Sequence, residues 1–224
     1  MRAGYPWTCQ LERMLTLVLA MPPQSERQQY LEILGGLDMN VWIVNRQSPP
    51  LHIWANYCQN RQGIEELTGL PRPLLDLISL VSRGEDVSRD LQQYAATLSQ
   101  KRDIMAEICQ ALVLSARIYL HEEPLLSLSN QLFALLTRLK QQMLNSDLGI
   151  LAWPAYTLGS RGTSQESRLL AEEILSAISA SCLLDGVTAL RGSPLSAMRS
   201  YWASAGILEG SLTPDYDGAE IGLW

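Results

Sequence analysis

The apolar residues of this chain recur at spacings of three and four along segment after segment, and strict alternation is hard to find. That period matches the 3.6 residues of an α-helical turn and conflicts with the two-residue period of a half-buried strand. Leu, Ala and Gln are frequent, whereas the β-branched runs that favour strands are missing. The chain is therefore expected to be all-α, a single bundle of about eight to eleven helices without significant sheet. Its 224 residues, 47% of them apolar, are enough to bury a substantial core.

Start and stop signals divide the chain. Residues 1–24 read as an N-terminal helix and linker, 25–205 as the main domain, and 206–224 as a loose or lightly docked tail. Ser25 and Gln28 have capping-box spacing ahead of a helix with Tyr30, Ile33, Leu34, Leu37, Val41 and Val44 on one face. Gly35 and Gly36 weaken that helix and imply close approach of a neighbour. Pro50 is expected to start a helix carrying Ile53, Trp54 and Tyr57, with His52 as a packing residue.

Residues 71–84, PRPLLDLISLVSRG, form a proline-started helix that is apolar on most sides and ends at Arg83 and Gly84. A helix of that kind belongs inside a larger assembly. The segment 87–100 is amphipathic around Leu91, Tyr94, Ala95 and Leu98. Residues 102–121 should be central, with Ile104, Met105, Ile108, Cys109, Leu112, Val113, Ala116, Tyr119 and Leu120 inward. An amphipathic helix follows over 126–145, lined by Leu128, Leu132, Leu135, Leu136, Leu139 and Met143. Pro154 is expected to restart a short buried helix, and Thr163 with Glu166 to cap the next. Ser193-Pro194 starts a last helix, with Met198, Tyr201 and Trp202 inward and Gly206 beyond its end.

Charge and motif content narrow the function. The net charge is −6 and no Lys/Arg run forms a stripe, so direct nucleic-acid binding by this chain is not expected. The cysteines, Cys9, Cys58, Cys109 and Cys182, lie 49, 51 and 73 residues apart with no C-x-x-C pair, so no metal site is expected. The apolar run 14–21 is too short to span a bilayer. No G-x-S-x-G, Walker loop, strand-borne G-x-G-x-x-G or H-E-x-x-H is present, and no cofactor is implied. Ser160-Arg161-Gly162-Thr163 reads as a helix start, and the pairs Glu122-Glu123 and Glu172-Glu173 point apart on a helix. Arg117 and His121, one turn apart, are the polar pair that could contact a ligand in a pocket.

Five segments in order, LEILGGLDMNVWIVNRQSPPLHIW, LTGLPRPLLDLISLVSRG, CQALVLSARIYLH, LAWPAYTLGSRGTSQESRLL and SAMRSYW, resemble the fungal-specific transcription factor domain. The resemblance runs through about residues 28–203. That family's domain is the helical regulatory region that accompanies a zinc binuclear cluster. The six-cysteine cluster beginning C-x-x-C is missing from these 224 residues. The resemblance implies a non-enzymatic, nuclear regulatory module for a metabolic gene set. It would act through a protein partner, either a full-length regulator or a second copy, or through a small-molecule effector. The alternative is a helical enzyme or binding protein acting on an apolar metabolite.

Overall fold

The computed structural model describes residues 6–101, 103–162, 164–184, 193–205 and 220–223. Among them are ten α-helices, and extended strand is confined to two dipeptides, Ile43–Val44 and Ile221–Gly222. The fold is all-α. No described helix is long and apolar enough to cross a membrane. The chain divides into two compact units, 1–87 and 88–224, with the boundary inside the region read as one domain.

In the first unit, α1 (Leu11–Ala20) packs on α2 (Ser25–Leu37), α2 on α3 (Ile53–Tyr57), and α3 on α4 (Arg72–Ser82). Leu31, Leu34 and Gly35 form the buried face of α2, whereas Tyr30 is exposed. The expected face fails because α2 stops at Leu37; Val41 then lies in a 3-10 turn (Asn40–Trp42) and Val44 in extended chain. Nor is Ser25 the cap: Gln24 holds that position in extended conformation, without a side-chain bond. Gly35 does meet a neighbour, since a Cβ there would lie 3.1 Å from both Cα and N of Trp54. Gly36 faces open space.

Pro50 does not start α3. Its cap is His52, in the left-handed region at φ 53°, and Tyr57 is exposed. The proline-rich stretch behaves as expected, with Pro71 capping α4 and Pro73 in its first turn. Leu74, Leu75, Ile78 and Val81 are buried. Gly84 adopts φ 77°, its N–H donates to Val81 O (2.9 Å), and Glu85 N–H donates to Leu80 O (3.1 Å). These two bonds are a Schellman ending, which uses the left-handed freedom of glycine.

The second unit is built around α6 (Ile104–Tyr119), which packs on α5 (Ser88–Leu98), α7 (Leu125–Gln142) and α8 (Ala152–Arg161). Its interior positions Ala111, Val113, Ser115 and Ala116 are fully buried. Ile104, Met105 and Tyr119, expected inside, are exposed because they sit in its end turns. Asp103 caps α6 by accepting from Ala106 N–H at 2.7 Å. The inner leucines of α7 are buried as expected, while Met143 falls just past its end.

α8 begins after a 3-10 segment (Asn145–Leu151), with Pro154 buried in its first turn. The helix α9 (Gln165–Leu184) packs along α8. Ser164 Oγ accepts from Ser167 N–H at 3.0 Å at the start of this helix; Thr163, the expected cap, lies outside the described residues. At α10 (Pro194–Ser204) the capping box forms between Ser193 and Ser196. Met198 and Trp202 are buried, and Trp202 Nε1–H donates to Gly159 O (2.8 Å); Tyr201 instead faces outward. Gly206 and most of the expected tail lie outside the described residues, but Ile221 and Leu223 are buried, next to α10.

Candidate functional site

Arg117 and His121 lie at the C-terminal end of α6. Arg117 lies in the last turn of α6 and directs its guanidinium to Glu122, with Nε–H donating to Oε2 at 2.7 Å and Nη2–H to Oε1. Gln92 of α5 also donates to Glu122. His121 lies two residues beyond the helix, in the left-handed region at φ 57°. Its N–H donates to Ile118 O, and Glu122 N–H donates to Arg117 O, both at 3.0 Å. These two residues therefore build a helix ending and an ion pair across it. The other acidic pair is engaged as well: Glu172 binds Arg199, and Glu173 binds Lys140.

A cleft opens in the first unit between Asp38, His52 and Trp54 on one side and Ser79 and Ser82 of α4 on the other. It has about 10 Å³ of free space, room for roughly one water. Asp38, Ser79 and Ser82 are engaged in hydrogen bonds. Asp38, with 1% of its side chain exposed, accepts from Arg46 Nη2 (2.6 Å), Leu51 N–H (3.1 Å) and Ile53 N–H (3.0 Å). Ser79 Oγ donates to Asp76 O (2.7 Å), and Ser82 Oγ accepts from Val41 N–H (3.5 Å).

Buried charge in this unit is organised by three more carboxylates. Glu32, 3% exposed, takes a two-pronged contact from Arg72, with Nε to Oε1 and Nη2 to Oε2 both at 2.8 Å, and a further bond from Arg61. Glu65 accepts from the N–H groups of Leu67 (2.9 Å) and Thr68 (2.7 Å) and from Thr68 Oγ (2.7 Å). Asp76 accepts from Trp54 Nε1–H (2.7 Å) and Asn60 N–H (3.0 Å). Burial raises its pKa, against the lowering effect of those two bonds. Bonding every oxygen is what makes such burial tolerable. Glu32 and Asp76 escape a periodicity reading because each interrupts an apolar run. That interruption was the signal: Glu32 in LEILGG and Asp76 in PLLDLIS stand where a hydrocarbon would be expected.

Two buried thiols, Cys58 and Cys109, are held protonated. Burial pushes Cys58 up to about 12, with Glu32 adding to the effect, and Cys109 up to about 11, with Asp103 adding. A thiol with a raised pKa supplies little thiolate for metal binding or nucleophilic attack at neutral pH. Among the described residues, no three His, Cys, Asp or Glu side chains converge into a metal cage. In comparisons with known proteins, no protein-family model, curated protein or solved structure matches this chain.

Proposed function

We propose that this chain is a regulatory module of a fungal transcriptional regulator, with no DNA-reading cluster within these 224 residues. It works in the nucleus on a metabolic gene set, through contact with a protein partner or through a bound effector. The observation that carries this reading is the ordered series of five segments between residues 31 and 202 that resemble the fungal-specific transcription factor domain. The net charge of −6 supports delegating DNA contact to a partner.

The test is to tether the chain to an unrelated DNA-binding module in a fungal host and read a reporter under that module's operator. Tethering is expected to raise or lower output relative to the DNA-binding module alone. An unchanged reporter, with the fusion present in the nucleus at normal abundance, would count decisively against the proposal.

A further inference from the structure

We propose that residues 59–70 form a preorganised strap that opens as a body from an otherwise folded first unit, with Arg72, itself held on Glu32, as its lock. The strap's order is largely its own. Glu65 N–H donates to Leu70 O (2.9 Å) and Gly69 N–H to Glu65 O (3.0 Å). The Glu65 carboxylate accepts hydrogen bonds from strap groups, Leu67 and Thr68. Left-handed turns at Asn60, Gly63 and Gly69 shape its limbs. These bonds travel with the segment and resist its unravelling.

Its attachment to the rest of the unit is mainly polar. Between positions 59 and 70 only Glu65 and Leu70 are buried, while Ile64 (52% exposed) and Leu67 (64%) lie outward. Opening therefore releases one apolar anchor, and segments with few buried apolar contacts occupy the low end of the local stability range. What must break is the polar set. Arg72 of α4 sits at its centre, with Nη1 on the carbonyls of Gln62 and Ile64 and its own N–H on Gly63 O (2.9 Å), while one prong on each oxygen of Glu32 fixes the guanidinium to α2. Arg61 adds to Glu32, Asn60 N–H binds Asp76, and Gln29 binds Glu66 (3.1 Å). Cys58, fully buried at the strap's root, is a built-in reporter of its movement.

Residue-resolved amide exchange and thiol labelling test this. The amides of Asn60 and Arg72 and the thiol of Cys58 should exchange or react at least about tenfold faster than the core amide of Ile78 predicts. Their rates should depend weakly on denaturant, because opening exposes little surface, while that of Ile78 depends steeply. R72K keeps the charge but loses the fork, and should raise the strap rates about tenfold beyond any change at Ile78. R46K, at the Asp38 cluster, should not. Wild-type strap groups that share the rate and denaturant dependence of Ile78 would show one cooperative body and overturn the proposal. So would R72K if it shifted all of them equally.

Discussion

At the scale of single residues, the two buried thiols make the fold sensitive to alkali. Each has a folded pKa above the ordinary 9.0, near 12 for Cys58 and near 11 for Cys109. Below pH 9 the thiols are protonated whether folded or unfolded, and their stabilising contribution is complete. Above it the unfolded chain loses its protons first, so stability falls by about 1.4 kcal/mol per pH unit per thiol until the folded pKa is reached. Denaturant midpoints measured from about pH 8 to 11 should therefore decline, and C58A should flatten the decline for the first unit. An unchanged slope in C58A would contradict the assignment.

Other residues show where a one-dimensional reading stops. Leu74, Ile78 and Leu132 could be placed inside from spacing alone. Tyr30, Met105 and Tyr201 could not, because an amphipathic stripe has edges whose exposure depends on where the neighbouring helix ends. Arg117 and His121 share a helix face only if the helix continues, and it stops at Tyr119.

At the scale of elements, α2 and α3 meet through a missing side chain. Adding a methyl at Gly35 places it 3.1 Å from the Trp54 backbone, which cannot yield as a flexible side chain would. G35A should destabilise the first unit by about 1–3 kcal/mol, outweighing the helix propensity that alanine brings. G36A meets nothing within 4 Å and should stabilise by about 0.5–1 kcal/mol. Thermal or denaturant unfolding of the two variants checks the pair, and equal effects would refute the packing argument. Glycine doublets announce close approach in sequence, but which member makes the contact depends on the phase of the partner helix. The caps divide the same way. Ser193 was readable from the following Pro194, whereas Ser25 had equally good spacing at a start actually held by Gln24.

At the scale of the whole molecule, charge decides what the chain approaches. With a net charge of −6 and no cationic stripe, too few phosphates can be neutralised to release counterions in number. Duplex DNA should bind more weakly than the ~10⁻⁴–10⁻⁶ M of nonspecific DNA-binding proteins at physiological salt. A mobility-shift titration across a salt series checks this, and sub-micromolar, sequence-selective binding would reverse it.

The sequence by itself determined that the chain is helical, where most helices lie, and which leucines they bury. Those are properties of periodicity and of local hydrogen-bonding signals, which act within a few turns. Only the tertiary structure decided that Glu32 meets Arg61 and Arg72, that Asp38 organises residues 46–53, and that Gly35 rather than Gly36 touches Trp54. It also decided the division after Val87. Such contacts join residues up to 40 positions apart. A buried charge announces in sequence only that it needs a partner, and the fold alone chooses which one comes within reach.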